Sequence, residues 1–287
     1  MSLNVRQLHD GFVGEVSGVT LSPDVDDAIV DQLWDAINRY AVLILHDQKL
    51  DDEALLAVGR RFGSIAAPRN HRAERRLQRA EVADISNLDK HGDIRGRDDN
   101  RRLDSLANQL WHADASFRPI SGELSMLHAH DIPPSGGETE FADLRAAYDA
   151  LDEETKALIA ELMAEHSIFH SRGLLGHTDY TDEERAALPA VQHAIVRMHP
   201  GSRRKTLYIG AHAGSIVDWP VPEGKLLIRD LMDHATERRF VHRHTWQAGD
   251  LVIWDNRCTM HRGRRYDDRR YKRDMRRVTT QDLHAGA

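Results

Sequence analysis

The sequence predicts a mainly β fold with helical cover, arranged as a sandwich or barrel. Beyond residue 110, short strand-like segments recur and are separated by turns. They do not alternate regularly with helices, which argues against a doubly wound parallel sheet. No internal repeat, low-complexity tract or linker interrupts residues 1–287, so we expect a single domain.

The first hundred residues are expected to supply most of the helical cover. A helix is predicted over "SPDVDDAIVDQLWDAINRY", with Ser22 as its N-cap, Pro23 at its first position and apolar residues every four positions. "AVLIL" at 41–45 reads as a buried strand, and "LDDEALLAVGRRFG" as a second helix that ends at Gly63. The polar segment 66–106 is expected to form loops around the short strand "EVADIS".

Strands dominate the rest of the chain. Two helices are expected among them, one from about Asp143 to Ala164 with a break near Leu151, and one over roughly 223–236. The predicted strands are "LWHADASF", "ELSMLHAH", "HAIVRMH", "KTLYIGAH", "RFVHRHTW", "DLVIWD" and "MRRVTTQD".

Composition favours a cytoplasmic globular protein. The single cysteine, Cys258, excludes an intrachain disulfide. The N-terminus lacks the pattern of a signal peptide, and the longest apolar run is too short to cross a membrane. A net charge of −7 argues against general nucleic-acid binding. The segment 257–277 nevertheless holds ten basic residues against three acidic ones, which is typical of a solvated loop, a nucleic-acid patch or a carboxylate-binding site.

The segment "LWHADASF" at 110–117 contains the first candidate ligands for a metal. If it is a strand, His112 and Asp114 point to the same side, and a metal would offset the cost of burying the carboxylate. His261, beyond the strand "DLVIWD", is the best candidate for a third ligand. Two histidines and one carboxylate are typical of non-haem Fe(II) oxygenases, although a zinc hydrolase could use the same residue types.

Two arginines near the C-terminus favour the oxygenase interpretation. Arg273 and Arg277 share one face of the predicted strand with Met275, and burying both is costly unless anions neutralise them. An Fe(II) oxygenase that splits a 2-oxo acid needs two such anchors, one for 2-oxoglutarate and one for an acidic substrate. Thr139 could complete the first of these carboxylate sites.

Several longer stretches carry a family resemblance over nearly the whole chain. They are "ANQLWHADASF", "PPSGGETEFADLRAAYDAL", "SRGLLGHTDY", "IGAHA" and "GDLVIWDNRCTMHRGRRYD". With these, the sequence resembles the Fe(II)/2-oxoglutarate dioxygenase family of taurine dioxygenase and 2,4-dichlorophenoxyacetate dioxygenase, and is most similar to the aryloxyacetate branch. The resemblance implies a double-stranded β-helix, or jelly-roll, fold.

The resemblance also implies roles for individual residues. The implied iron ligands are His112, Asp114 and His261, and the implied 2-oxoglutarate site is Thr139 with Arg273. In the substrate site, Arg277 would bind the acid group and Asn108 would contact the substrate, and His212 is a further candidate for the pocket wall. The loop 66–80, with Arg69, Asn70 and His71, aligns least well and gives no assignment.

The implied reaction uses Fe(II), 2-oxoglutarate and O2 to hydroxylate the methylene of an aryloxyacetate, giving a phenol, glyoxylate, succinate and CO2. A homo-oligomer is expected, with a small organic acid as the other partner. Three alternatives keep the chemistry but change the substrate to taurine or another sulfonate, an aryloxypropionate or a natural aromatic acid. A metal-binding jelly roll without turnover is the alternative from another class, and it leaves the second anion site unexplained.

Overall fold

The computed structural model describes residues 3–66 and 75–283. The strands are β1 Asn4–His9, β2 Phe12–Ser17, β3 Val42–Leu45, β4 Ala83–Ser86, β5 Gly122–Asp131, β6 Thr139–Asp143, β7 Met163–His166, β8 Val191–Ala194, β9 Val196–Met198, β10 Lys205–Leu207, β11 Ala213–Ile216, β12 Val241–His244, β13 Leu251–Asp255, β14 Thr259–Gly263 and β15 Asp274–Gln281. The largest sheet has seven strands in the order β1-β2-β3-β13-β5-β15-β4. All neighbouring strands in it are antiparallel except β2 and β3.

Smaller sheets complete the architecture, with orders β12-β6-β14, β11-β7-β8 and β10-β9. Two short 3-10 helices lie at Leu106–Gln109 and Arg238–Phe240. The α-helices are α1 Asp27–Tyr40, α2 Asp52–Phe62, α3 Asn100–Ser105, α4 Leu144–Asp149, α5 Glu153–Ile159, α6 Ile168–Gly173, α7 Asp182–Ala187 and α8 Val221–Ala235.

Strand β13 shows how the layers are packed. Leu251 and Ile253 pack with the buried faces of α1 and α2, whereas Val252 and Trp254 pack into the space between the sheets. A strand whose alternate side chains are buried on both faces reads as a continuous apolar run, as "DLVIWD" does. The chain thus folds as a jelly roll with helices outside its sheets, and the predicted fold class is confirmed.

The two N-terminal helices are present, but the first begins later than predicted. Residues 22–25 form a turn, and Asp26 caps α1 because its carboxylate accepts from the amide of Ala28 at 3.0 Å. The expected N-cap at Ser22 is therefore wrong. Helix α2 begins after its N-cap Asp51 and ends at Gly63, as predicted.

Two further predictions of local structure are wrong. The segment 110–117 is no strand, because after a single bridge at His112 it becomes a turn. The helix predicted up to Ala164 breaks at Leu151, as expected, but its end forms strand β7 instead, which lies between β11 and β8. Sheet pairing overrides local helix propensity there.

Across the described ranges, no helix combines the length and the apolar character needed to cross a bilayer.

Candidate metal centre and active site

The two histidines of the predicted triad lie on backbone segments that hydrogen-bond to each other. His261 belongs to β14, and His112 forms an isolated antiparallel bridge with it. The amide of His112 donates to the carbonyl of His261 at 3.0 Å, and the reverse bond measures 2.9 Å. Their ring centroids are 4.3 Å apart. Backbone pairing alone thus brings both imidazoles to one place.

Asp114 reaches the same place through a turn. Ala115 has a left-handed backbone with φ of 59°, and the amide of Arg118 donates to its carbonyl at 2.9 Å. The carboxylate lies 3.8 Å from Nε2 of His112 and 3.8 Å from Nε2 of His261. The three residues are buried, and their ligand atoms all lie within 4.8 Å of one another.

The protonation states of the imidazoles suit metal binding. Nδ1 of His112 lies 2.7 Å from the carbonyl oxygen of Leu110, which can only accept, so Nδ1 carries the proton and Nε2 keeps its lone pair. Burial lowers the pKa of His112, and burial together with the nearby His112 ring lowers the pKa of His261 well below its usual value. Both rings are therefore neutral at pH 7.

Asp114 is held in its ionised form. Its Oδ1 accepts from Nη1 of Arg277 at 2.6 Å, and its Oδ2 accepts from the hydroxyl of Ser125 at 2.7 Å. Burial acts to raise the pKa of Asp114, but the Arg277 guanidinium, helped by the hydrogen bond from Ser125, outweighs it and holds the pKa well below its usual range. Two neutral imidazoles and one carboxylate, converging from neighbouring segments, fit a divalent metal such as Fe(II) with positions left open.

A cavity of about 390 Å³ opens over His112 and Asp114. Its wall includes the three predicted substrate residues Asn108, His212 and Arg277. The ring of His212 lies 6.2 Å from the ring of His112 and 4.9 Å from that of Phe117. Other apolar parts of the wall come from Leu77, Val82, Leu88, Phe117 and Ile168.

Arginines outnumber carboxylates around this cavity. Some are paired, as Arg172 is with Asp104 at 2.7 Å. Others are neutralised by acids outside the wall, Arg79 by Glu53 and Arg95 by Asp99, so the count alone gives no net positive charge. The arginines are Arg75, Arg76, Arg79, Arg95, Arg101, Arg118, Arg172 and Arg277, and the acids are Glu81, Asp84, Asp104 and Asp114.

Thr139 and Arg273 are not among the described residues that line this cavity. The indole N–H of Trp246 donates to the Thr139 hydroxyl at 3.0 Å, and Arg273 packs beside Gly137, two residues before Thr139. The buried Nε of Arg273 has no hydrogen-bond partner among residues 3–66 and 75–283. Burial lowers the pKa of Arg273 to about 10. A partly buried cation without a carboxylate partner among the described residues fits a site built for a carboxylate.

Arg273 precedes β15, which begins at Asp274, so the two arginines do not share one strand as predicted. Within β15, Arg276 bonds to Asp274 and, at 3.1 Å, to Asp52 at the start of α2, whereas Arg277 faces the cavity. Arg69, Asn70 and His71 of the loop 66–80 lie outside the described residues.

A second group of possible metal ligands has a structural role instead. It consists of His199, Asp255 and Cys258. Asp255 accepts from both His199, at 2.9 Å, and Arg257, at 2.6 Å. Burial raises the pKa of the Cys258 thiol far above its usual value, which disfavours the thiolate that a metal needs.

Much of the basic segment 257–277 is ion-paired. Arg257 contacts Glu123 and Asp255, and Arg262 contacts Glu140 at 2.8 Å. Arg273 and Arg277 lie inside the fold, whereas five basic residues of the segment remain exposed, namely Arg264, Arg265, Arg269, Arg270 and Lys272.

Sequence reasoning missed the polar residues around Asp114, namely Ser125, Asn256 and Thr279. A signal existed for two of them. Ser125 is a lone hydroxyl within the apolar run "ELSML", and Asn256 directly follows the buried strand "DLVIWD". A polar side chain within an apolar strand needs a partner, which is grounds to suspect a site.

Three comparisons agree with this geometry. A profile of the family described as "Taurine catabolism dioxygenase TauD, TfdA family" matches residues 4–279. The chain is 44% identical to a protein of Burkholderia sp. (strain RASC) named alpha-ketoglutarate-dependent 2,4-dichlorophenoxyacetate dioxygenase, covering 98% of this chain and 95% of that one. It is 36% identical to a Sphingobium herbicidovorans protein named (S)-phenoxypropionate/alpha-ketoglutarate-dioxygenase, covering 93% and 91%.

A solved structure of similar shape is that of AAD-2 in complex with Mn(II) and N-oxalylglycine. It superposes with a TM-score of 0.94 at 48% sequence identity and covers 98% of each chain.

Proposed function

The chain belongs to the taurine catabolism dioxygenase (TauD, TfdA) family, and from this premise we propose an Fe(II)- and 2-oxoglutarate-dependent dioxygenase that acts on an aryloxyacetate such as 2,4-dichlorophenoxyacetate. The observation that carries the proposal is the buried convergence of His112, Asp114 and His261 beneath a cavity that is lined by arginine and apolar side chains.

The charges of the site support a monoanionic substrate. A divalent metal and the guanidiniums of Arg273 and Arg277 contribute four positive charges, and Asp114 removes one. 2-Oxoglutarate supplies two negative charges, and a substrate with a single carboxylate supplies the third. Because unbalanced buried charge is costly, all three anionic groups are needed for the loaded site to be neutral.

We assign the metal to His112, Asp114 and His261, the far carboxylate of 2-oxoglutarate to Arg273 with Thr139, and the substrate acid to Arg277. Arg277 donates one N–H to Asp114, and the other four N–H groups of its guanidinium can donate to the substrate carboxylate. Asn108 and His212 line the cavity and would contact the rest of the substrate.

The chemistry that a bound Fe(II) supplies is activation of O2, coupled to conversion of 2-oxoglutarate into succinate and CO2. The residues of the chain position the substrate, because the C–H bond that is oxidised is the one held closest to the metal. Arg277 holds the carboxylate one carbon from the methylene, and Phe117, Ile168 and Leu88 give the ring an apolar surface away from water. Hydroxylation of that methylene gives a hemiacetal, which breaks its C–O bond to the aryl oxygen and releases a phenol and glyoxylate.

The test is turnover with a panel of acids. Purified protein is supplied with Fe(II), 2-oxoglutarate and ascorbate, together with aryloxyacetates, both enantiomers of an aryloxypropionate, taurine or an aromatic acid, and succinate and phenol are measured. We expect phenol from 2,4-dichlorophenoxyacetate in proportion to succinate. His112→Ala should abolish both products, whereas His242→Gln, a histidine outside the cavity wall, should retain them. Succinate formation above background with taurine alone would refute the substrate assignment.

A further inference from the structure

We propose that Ser125 and Asn256 are positioning residues that fix the orientation of the Asp114 carboxylate before any metal binds. The inference rests on the proposed function, because it assumes that Asp114 is a metal ligand. It concerns a buried chain of hydrogen bonds in which the direction of every bond is determined by its neighbours.

The chain begins at the side-chain amide of Asn256. Its Oδ1 lies 3.0 Å from the indole N–H of Trp254 and 3.0 Å from the backbone N–H of Asp114. Both partners can only donate, so this atom must be the oxygen, and its two lone pairs are used. The amide therefore has one possible orientation.

The orientation of the amide determines the direction of the next bonds. Nδ2 of Asn256 donates to the carbonyl of Glu123 at 3.3 Å and to the hydroxyl oxygen of Ser125 at 3.0 Å. Asn256 is fully buried, and each of its protons and lone pairs has one partner. Such a saturated amide cannot rotate without leaving buried polar groups unsatisfied, which costs about 1–3 kcal/mol each.

Ser125 is left with a single choice for its proton. Its oxygen accepts from Asn256, and its hydroxyl donates to Oδ2 of Asp114 at 2.7 Å. The Ser125 proton therefore points at Asp114. The hydroxyl of Thr279, 3.0 Å from the Ser125 oxygen, must then be a donor to the second lone pair.

Asp114 is thus held at three points. Asn256 fixes its backbone amide, Ser125 fixes Oδ2, and Arg277 donates to Oδ1 from the cavity side. A carboxylate with both oxygens engaged in this way has little freedom to rotate, so the entropy of ordering the ligand is lost on folding rather than on metal binding.

Close packing around the network leaves no room for a different arrangement. A Cβ at Gly122 would lie 2.8 Å from the carbonyl oxygen of Asp114, 3.0 Å from Cγ2 of Thr279 and 3.5 Å from Nδ2 of Asn256. The network therefore needs glycine at this start of β5.

The experiment measures metal affinity rather than turnover. Co(II) is titrated into the full chain under nitrogen and followed by its visible absorption, which reports both the dissociation constant and the coordination geometry. Loss of an outer-shell partner of a metal ligand typically costs about 10- to 100-fold in metal affinity. We expect Ser125→Ala to raise the Co(II) dissociation constant by that factor and to change the spectrum.

Two matched variants separate positioning from general stability. Ser116→Ala removes a buried hydroxyl close in sequence to Asp114, but this hydroxyl contacts His166 and not Asp114. The Co(II) affinity of this variant should equal that of the unsubstituted chain. Thr279→Val leaves the Ser125 proton on Asp114, so its effect should be about threefold at most. A larger effect of Thr279→Val than of Ser125→Ala would overturn the proposed bond directions.

Asn256→Asp gives a second route to the same answer. It replaces the Nδ2 donor with a carboxylate oxygen that competes with Asp114 for the Ser125 proton, so Co(II) affinity should again fall. The double variant Ser125→Ala with Asn256→Asp should bind Co(II) no more weakly than the weaker-binding of the two single variants. Both substitutions break the same link between Asn256 and Asp114, so their effects should not add.

The possible failures can be told apart. If the unsubstituted chain binds Co(II) and Ser125→Ala binds it within twofold, the inference is refuted and the proposed function stands. If the unsubstituted chain binds no Co(II), the proposed function fails, and the inference fails with it.

Discussion

Arg273→Met is expected to stabilise the ligand-free protein. The buried Nε of Arg273 has no partner among the described residues, and burial lowers the pKa of this group from 12.5 to about 10. The folded protein therefore binds the guanidinium proton less tightly than the unfolded chain does. Each pKa unit corresponds to about 1.4 kcal/mol, so below pH 10 the cation lowers the free energy of unfolding by up to about 3 kcal/mol. Methionine keeps an unbranched apolar stem and removes that charge.

The same substitution is expected to abolish stabilisation by 2-oxoglutarate. A ligand that binds only the folded state at 100 times its dissociation constant adds about 2.7 kcal/mol to the free energy of unfolding. The unsubstituted protein should gain this amount, and Arg273→Met should gain almost none, since its counter-charge for the far carboxylate is lost. The two effects have opposite signs, which general damage to the fold cannot produce.

The assay is urea unfolding at pH 7.5 with Mn(II), under nitrogen, with and without 2-oxoglutarate. Arg276→Met is the matched control because Arg276 lies three residues further along the chain and contacts Asp274 and Asp52 instead. That control should be less stable than the unsubstituted protein and should retain the gain from 2-oxoglutarate. A fall of more than about 1 kcal/mol in the ligand-free stability of Arg273→Met, or an undiminished gain from 2-oxoglutarate, would refute the reasoning.

Three further outcomes are expected. Arg277→Met should raise the KM for the organic acid by about 10- to 100-fold and that for 2-oxoglutarate by much less, in initial-rate measurements of succinate; equal increases would contradict the assigned roles. Burial raises the pKa of Glu123 from 4.5 to about 7, so the folded protein binds this proton more tightly than the unfolded chain does. The folded protein therefore loses stability as the pH rises from about 4.5 through about 7. Glu123→Gln does not titrate and should gain about 3 kcal/mol relative to the unsubstituted protein between pH 4 and pH 8 in urea unfolding, and a constant difference would disprove this. Gly122→Ala should lower the free energy of unfolding by about 1–3 kcal/mol and weaken Mn(II) binding, because its Cβ would lie 2.8 Å from the Asp114 carbonyl; Gly96→Ala, with open space around it, is the control, and equal stability of the two would count against the packing argument.

The fold could be predicted where one physical cause dominates. "DLVIWD" and "AVLIL" are apolar on both faces because each lies between the helices and the opposite sheet. The helix α2 carries both its acidic first turn and its terminal glycine in the sequence. Strand β7 could not be foreseen, since it is stabilised by β11 and β8, which are distant in the chain or too short to be recognised.

The site was predicted partly for a wrong reason. His112 and Asp114 were expected to converge because alternate residues of a strand share a face. In the structure the convergence comes from the left-handed turn at Ala115 and from the backbone bridge to His261. Neither is visible locally, because alanine rarely adopts positive φ and a bridge between distant residues leaves no periodic pattern.

Residues that act through another residue were the hardest to predict. Arg277 could be placed by its spacing from Arg273, yet its contact with Asp114 depends on how β15 lies against β5. Ser125 and Asn256 have no metal-ligand chemistry of their own, so only coordinates reveal that they meet at Asp114.

The backbone bridge between His112 and His261 ties loss of the metal to a local opening of the chain. The amide of each histidine donates to the carbonyl of the other, so breaking this bridge exposes both amides to solvent exchange and separates the imidazoles in the same event. Hydrogen exchange at these two amides should consequently slow together when metal is added. Their common rate should also set an upper limit on how fast the metal can dissociate through opening of the 110–117 segment.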